Sequence, residues 1–218
     1  MATSMPPFSP DQPGPLGTRI HPAFRPAGRT RTMAVMSTTD TTALPLTSGT
    51  WALDTNHSVV GFAVRHLGVA KVRGRFTGFE TEVVIGETLA DTSVVATVDL
   101  SSVDTGNADR DAHIQRDDMV DVALRPTMTF RSTAISGEGE DWTLEGDLTI
   151  GDVTKPLTLA VELGGIQEFS GGGPRHAGFE ATGEIRRSDY GIAPQIPSAM
   201  LGDVIKVQLD LELLEPES

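Results

Sequence analysis

The last stretch of the chain alternates strictly between apolar and polar residues. Its apolar positions are Val207, Leu209, Leu211 and Leu213. A period of two is typical of a β-strand with one dry face and one wet face. The same alternation recurs at least six times between Trp51 and Glu215. The pattern therefore predicts an all-β domain, built either as a sandwich or as a barrel.

Six earlier segments carry this alternation, each with its apolar residues on one face. Those positions are Val60, Phe62 and Val64; Val94, Ala96, Val98 and Leu100; Met128, Phe130, Ser132 and Ala134; Trp142, Leu144, Leu148 and Ile150; Leu157, Leu159, Val161 and Leu163; and Phe179, Ala181, Gly183 and Ile185. Gly74 and Gly78 indicate bends or bulges in a further strand. Residues 151–156 predict a turn that joins two strands into a hairpin.

Residues 106–126 have no period of two. Asn107 is suited to cap a helix and Pro126 bounds the segment. We expect a short helical excursion that lies across one end of a barrel. Its few apolar residues would cover one face, namely Ile114, Met119, Val120 and Val122.

The first 47 residues differ from the rest of the chain. They hold eight of the fourteen prolines, few bulky apolar residues and four arginines. Such a segment buries too little apolar surface to offset its ordering entropy, so 1–47 is predicted to be a disordered extension and 48–216 the barrel. We favour an inert tail, or a translation start at Met33 or Met36, over an organelle transit peptide as the interpretation of this leader. We recognise no apolar signal-peptide core, so a cytoplasmic location is expected, with a periplasmic or secreted one left open.

Composition narrows the classes of partner. Apolar residues make up 38% of the chain, and no run approaches the roughly 18–20 residues that a membrane helix needs, so stable membrane insertion is not expected. The net charge of −13 argues against nucleic acid and anionic membrane surfaces as partners. The absence of cysteine excludes disulfides, thiolate metal sites and a cysteine nucleophile.

A group of polar residues outside the regular alternation allows a hydrolase reading. Asp54, His57 and Ser58 can be drawn as a triad, but the chain has no strand–turn–helix nucleophile motif. Neighbouring residues on a strand point to opposite faces, so His57 and Ser58 are poorly placed to share a hydrogen bond. We favour Asp54 and Ser58 as partners of backbone groups at a strand start.

Two further readings concern metal and anion binding. His57, His66 and His113 are separated by nine and forty-seven residues, a spacing that matches no helix-borne ligand motif, and we favour structural roles for them. Arg110 and Arg187 offer paired donors that suit an acidic head group. Both arginines have equally good candidate partners in nearby carboxylates, namely Asp109, Asp111 and Asp189.

Six blocks of the sequence, in order, resemble the YceI family of bacterial lipocalin-like, polyisoprenoid-binding proteins. The resemblance covers about 165 residues, from Thr50 to Glu215. The matching positions are Trp51, Leu53, Asp54, His57, Ser58, Val60, Phe62, Val64 and His66; Gly74 and Phe76; Ser102, Asp104, Thr105, Arg110, Asp111 and His113; Pro126, Phe130 and Ser132; 146–156; and 187–191.

The resemblance implies an extended, eight-stranded antiparallel lipocalin-like barrel whose tunnel holds a polyisoprenoid or a similar long apolar lipid. It implies no catalytic residues, no cofactor and no metal. The tunnel would be lined by Phe62, Val64, Phe76, Phe79, Val98, Phe130, Leu148, Leu159, Phe179, Ala181 and Ile185. The candidate head-group contacts are Arg110, His113, Arg187 and Tyr190, of which Tyr190 stands where relatives commonly have phenylalanine.

Alternatives to a lipid tunnel stay open at this point. An ordinary filled core would show the same alternation, although the small inward residues Ala96, Ser132, Gly146, Ala181 and Gly183 favour open space. A metal-dependent or hydrolytic enzyme would use Asp54, His57 and His66. A homodimer through an edge strand is possible, but no sequence feature specifies it.

Overall fold

The computed structural model describes residues 45–168 and 172–216. Most of the predicted N-terminal extension, residues 1–44, lies outside the described residues. Leu46, at the end of that predicted extension, is buried against the barrel.

The chain forms eleven strands and one short α-helix within the described residues. The strands are β1 Gly49–Leu53, β2 Val59–His66, β3 Ala70–Phe76, β4 Phe79–Ile85, β5 Ser93–Asp99, β6 Val103–Asp104, β7 Thr127–Glu138, β8 Asp141–Ile150, β9 Val153–Gln167, β10 His176–Arg186 and β11 Leu201–Leu214. The helix α1 spans Ala108–Ile114. Single 3₁₀ turns occur at Leu89–Asp91, Leu100–Ser102 and Arg187–Tyr190.

Eight of these strands close into an antiparallel barrel. Their order is β1-β4-β5-β7-β8-β9-β10-β11, and pairing of β1 with β11 completes the ring. The strands β2, β3 and β6 continue the wall beyond it, because β2 also pairs with β11, β3 with β2, and β6 with β3. The predicted all-β, eight-stranded, lipocalin-like barrel is confirmed.

Three pairs of consecutive strands, β1 and β2, β3 and β4, and β5 and β6, are each separated by a short irregular segment. Residues 54–58 separate β1 from β2, residues 77–78 separate β3 from β4, and a 3₁₀ turn separates β5 from β6. The sequence predicted β3 and β4 as one strand with bends or bulges at Gly74 and Gly78. Gly78 lies in one of the breaks, as its bend-forming character indicates, whereas Gly74 sits inside β3.

The helical excursion lies at one end of the barrel, which we call the α1 end. Asn107 caps the helix, since its side chain accepts a hydrogen bond of 2.9 Å from the Arg110 backbone N–H. The loop that follows packs Met119, Val120 and Val122 against the core. The 187–200 segment between β10 and β11 lies at the same end, where the Ala193 N–H donates to the Met119 carbonyl at 3.0 Å.

A bulge in β7 reverses the side-chain alternation. The register between β7 and β8 shifts between Ser132 and Ala134. Ala134, which strict alternation placed inside, is therefore exposed, and Ile135 turns inward instead. Ser132 does not leave open space either, because its hydroxyl accepts a hydrogen bond of 2.9 Å from the Val94 N–H.

The buried residues form two separate clusters. The larger lies toward the α1 end, and its largest members are Phe130, Tyr190 and the leucines of β8 and β9. The smaller surrounds Trp51, which is 1% exposed and donates its indole N–H to the Thr47 carbonyl at 2.9 Å. This division of the core leaves the interior of the barrel incompletely filled.

Candidate ligand cavity

An apolar cavity occupies the barrel between the two core clusters. Members of both clusters line it, including Leu148 of the larger and Leu213 of the smaller. The cavity volume is about 250 Å³, many times the roughly 10–15 Å³ that one water molecule requires. The interior is therefore hollow rather than an ordinary filled core.

The wall of this cavity is almost entirely hydrocarbon. Among the described residues, Thr81 and Thr92 are the polar side chains that line it, and no ionisable side chain does. The Thr92 hydroxyl is satisfied: it donates to the Thr88 carbonyl and accepts from the Gly86 N–H, both at 3.0 Å. The Thr81 Oγ1 atom is buried and has no hydrogen-bond partner among the described residues.

Nine of the eleven residues expected to line the tunnel do line this cavity. They are Phe62, Phe76, Val98, Phe130, Leu148, Leu159, Phe179, Ala181 and Ile185. Val64 and Phe79 do not. Val64 lies on the part of the wall beyond the ring, opposite Val72 of β3, and Phe79 is the first residue after the break between β3 and β4. The ligand contacts of all eleven stay predictions.

Several lining residues come from segments without alternation. Leu46 precedes β1, Val120 follows α1, and Ile192 follows the last 3₁₀ turn. A period of two cannot mark such positions, because they enter the barrel from its ends rather than along a strand. The sequence marks Val120 only as one of the apolar residues on a face of the helical excursion, and it gives no signal for Leu46 or Ile192.

The small inward residues do not all create space. A Cβ atom on Gly146 would lie 2.4 Å from the Phe130 ring, and one on Gly183 would lie 2.6 Å from the Leu159 side chain. These two glycines therefore make room for neighbouring side chains. By contrast, Ala96 and Ala181 face the cavity directly.

Arg187 has a structural role instead of facing a ligand. It is 4% exposed, and its five N–H groups donate to five backbone carbonyls. The acceptors are Ile192, Ala193, Ile196, Leu201 and Gly202, at 2.6–3.3 Å. All the donors of a guanidinium are then occupied. The carboxylate partner suggested by the sequence is not among these acceptors.

The other three candidate head-group residues are dispersed around the α1 end. Arg110 is exposed and donates to the hydroxyl and carbonyl oxygens of Thr105, at 2.7 and 2.8 Å. His113 faces Asp118 at 3.6 Å. Tyr190 is buried, with its hydroxyl 3.5 Å from the Leu148 carbonyl, and burial raises its pKa to about 12. None of the three lines the cavity.

Residues 54–58, which connect β1 to β2, include the residues of the hydrolase hypothesis. His57 Nδ1 lies 2.9 Å from Asp54 Oδ2, which raises the pKa of His57 and lowers that of Asp54. Ser58 is buried, and its hydroxyl accepts from the Glu212 N–H at 2.9 Å. Ser58 thus satisfies a backbone group. His57 instead keeps its side chain 67% exposed.

The histidines of the metal reading are not brought together. Asp54, His57 and Glu212 place their ligand-capable atoms within 4.8 Å of one another, and this set does not include His66 or His113. His66 ends β2, about 20 Å along the strand from its start near His57. His113 lies on α1.

Polar side chains link the chain segments before β1 and after β11, at the end of the barrel opposite α1. Glu215 accepts from Arg175 Nε at 2.8 Å and from the Thr47 hydroxyl. These contacts, Arg175 first, lower the pKa of Glu215 to about 2. They hold the residues before β1 and after β11 beside Leu46 and the cavity.

None of the helices in the described segments is long and apolar enough to cross a bilayer. The closed antiparallel ring and the hydrocarbon-lined interior define a lipocalin-like β-barrel. Residues 51–213 match the model of the YceI-like domain, and the chain belongs to the YceI family.

Relatives and solved structures agree with this assignment. The chain is 38% identical to Protein YceI of Escherichia coli (strain UMN026 / ExPEC) over 151 residues, which cover 68% of the chain and 78% of that relative. The crystal structure of the Campylobacter jejuni YCEI protein superposes with a TM-score of 0.64 at 30% identity and covers 70% of this chain and 90% of that one. A polyisoprenoid binding domain from Saccharophagus degradans shares the fold, with a TM-score of 0.58, 17% identity, and coverage of 78% and 100%.

Proposed function

We propose that this protein binds a polyisoprenoid, or a similarly long apolar lipid, non-covalently in the barrel cavity. The observation that carries the proposal is a hollow interior walled by hydrocarbon side chains from both core clusters. Such a cavity attracts an apolar ligand, since each methylene removed from water contributes about 0.8 kcal/mol. A long chain binds there without any charged contact.

The family relationship supports the class of ligand. The Saccharophagus degradans structure is described as a polyisoprenoid binding domain, and it shares the barrel that encloses the cavity here. An unbranched acyl chain offers the same hydrocarbon chemistry and competes for the same space. The isoprenoid identity is therefore the part of the proposal that a direct chemical analysis has to test.

The charged end of such a ligand would lie outside the cavity. No ionisable side chain lines it within the described residues, and burying an unpaired charge in hydrocarbon is strongly unfavourable. Of the four candidate head-group residues, Arg110 and His113 are exposed at the α1 end. They stay candidates for contacts with a head group that projects from that end.

Binding, rather than catalysis, is the proposed activity. Ser58 is engaged with a backbone N–H, and His66 lies at the far end of β2 from the Asp54–His57 pair. The polar pair and the apolar cavity are thus built from different parts of the domain. We expect purified protein to show no turnover that depends on His57.

The experiment is organic extraction of the purified full-length protein followed by mass spectrometry, with native mass spectrometry of the intact complex. We expect a near-stoichiometric lipid whose mass series has isoprene spacing. A protein purified empty would be tested by adding geranylgeraniol. An empty protein that also takes up no geranylgeraniol contradicts lipid binding, and a stoichiometric fatty acyl lipid contradicts the isoprenoid assignment alone.

A further inference from the structure

The turn between β2 and β3 exposes bulky apolar side chains. Leu67 is 52% exposed and Val69 is 82% exposed. Met200, also 52% exposed, lies beside them, and its carbonyl accepts from the Leu67 N–H at 2.8 Å. In the described part of the chain, five large hydrophobic side chains are exposed, and these are three of them. We call this group the apolar tip.

Basic side chains follow the apolar tip along the outer face of the hairpin. Arg65 pairs with Lys71 across β2 and β3, and Arg73 follows two residues further along β3 on the same face. All three are exposed. Across residues 45–168 and 172–216, none of them has a carboxylate within 4.0 Å, whereas Arg75, next on this face, is paired with Asp104 at 3.0 Å.

The backbone conformation of the apolar tip is also unfavourable for the residues that it carries. Leu67 has a φ of 53° and Gly68 a φ of 71°. A left-handed conformation is unfavourable for a bulky residue and is tolerated much better by asparagine or glycine. Leu67 is therefore poorly suited to the turn and gains little burial within the domain. The stability of the domain therefore does not explain why an apolar side chain stands at this position.

The apolar tip lies at the α1 end of the barrel. His66 pairs with Leu201, where the 187–200 segment enters β11. Ile192 of that segment and Val120 of the neighbouring loop line the cavity. A surface that contacts the tip therefore also approaches this end of the cavity.

We propose that the β2–β3 hairpin docks the protein reversibly on a lipid membrane that carries anionic head groups. Leu67, Val69 and Met200 enter the interfacial layer. Arg65, Lys71 and Arg73 remain at the level of the phosphates, as basic side chains do beside apolar anchors. Each basic residue close to an anionic surface strengthens binding by roughly fivefold.

The net charge of −13 does not oppose this contact. Charges separated by more than a Debye length, about 8 Å at physiological ionic strength, are largely screened. The cations of the hairpin itself, Arg65, Lys71 and Arg73, have no carboxylate of the described residues within 4.0 Å. The overall composition argues against anionic membrane surfaces as partners, and the proposal departs from that expectation at this one surface.

The test is sedimentation of the full-length protein with vesicles of phosphatidylcholine containing one quarter phosphatidylglycerol. The variants are Leu67→Asn with Val69→Ser for the apolar tip, and Lys71→Gln with Arg73→Gln for the cations. The matched controls are Val59→Ser, which removes an exposed apolar side chain (37%) at the opposite end of β2 from the tip, and Arg131→Gln with Lys155→Gln, which changes the net charge equally. Circular dichroism melts establish that each variant is folded.

We expect both hairpin variants to weaken vesicle binding by about tenfold or more and both controls to bind like the unaltered chain. Binding should also disappear at about 1 M salt, where the Debye length is about 3 Å. Because the N-terminal arginines are present in every variant, they cannot produce such a difference.

A second measurement localises the contact. The chain has no cysteine, so Val69→Cys permits a single environment-sensitive fluorophore at the tip, with Val59→Cys, at the opposite end of β2, as its control. A blue shift for Val69→Cys alone, on adding anionic vesicles, supports docking. Equal binding by hairpin variants and controls, or a tip-dependent dimer in sedimentation velocity without vesicle binding, overturns the proposal.

Discussion

The Arg187 guanidinium donates a hydrogen bond of 2.7 Å to the carbonyl oxygen of Ala193. Ala193 is fully buried and has a left-handed backbone with a φ of 48°. The arginine therefore holds an unfavourable loop conformation by solvating carbonyls that water cannot reach. This loop carries Ile192, part of the cavity wall, so the cation shapes the cavity without facing it.

Arg187→Lys should lower the free energy of unfolding by about 3 kcal/mol, because an ammonium has three donors for five buried or partly buried carbonyls. Urea denaturation followed by circular dichroism measures this loss. The exposed Arg131→Lys serves as the control. A variant that keeps full stability but loses affinity for a phosphorylated lipid would show instead that Arg187 contacts the head group.

Ala181→Leu should obstruct the cavity and reduce lipid uptake by at least about tenfold. The domain should remain folded because the larger side chain extends into open space. Ala160→Leu, on the exposed face of β9, adds the same atoms outside the barrel. Uptake is measured by native mass spectrometry with geranylgeraniol, and equal uptake by both variants would contradict the cavity as the binding site.

Gly183 is the wrong position for this experiment, although it also faces inward. A Cβ there would lie 3.0 Å from the Thr158 carbonyl as well as against Leu159. Loss of binding in a Gly183 variant would therefore report damage to the barrel.

Thr81→Val should stabilise the ligand-free protein by about 1 kcal/mol, because it replaces a buried hydroxyl that has no partner with a methyl group of similar shape. Thr92→Val should instead destabilise it by about 1–2 kcal/mol, since that hydroxyl makes two hydrogen bonds. The two free energies of unfolding come from urea titration after delipidation. A loss of stability in Thr81→Val would mean that its hydroxyl is bonded in solution.

Glu215→Gln should weaken the acid dependence of stability. The pKa of Glu215 is lowered from 4.5 to about 2, so the carboxylate stabilises the folded state fully above pH 4.5. That contribution is lost as the pH falls from 4.5 toward 2. Thermal midpoints across this interval should fall less steeply in the variant. Glu162→Gln, exposed on β9, controls for the loss of one carboxylate elsewhere.

The strand alternation predicted most of the cavity wall because a period of two fixes which face a residue takes. It went wrong at Ala134, where a single bulge moved Ile135 inward. Nothing in the local sequence marks that bulge, since Ser132 and Ala134 fit either face. The wall residues Leu46, Val120 and Ile192 were missed because they enter from loops.

The polar residues were harder to assign than the apolar ones. The type of a side chain gives its donors but not its acceptors, and Arg187 binds carbonyls of the following loop and of the start of β11, up to fifteen residues away. Ser58 was correctly expected to satisfy a backbone group. Its position at a strand start restricts its partners to neighbouring backbone, whereas a long guanidinium has many possible neighbours.

The division of the core into two clusters also sets how the domain responds to compression. Unfolding eliminates internal voids, so hydrostatic pressure favours the unfolded chain in proportion to the empty volume that the folded state retains. The barrel cavity between Leu148 and Leu213 is such a volume, and a hydrocarbon chain that fills it would remove most of that volume difference. A bound chain should therefore raise the pressure at which the domain unfolds, whatever the chemical identity of that chain.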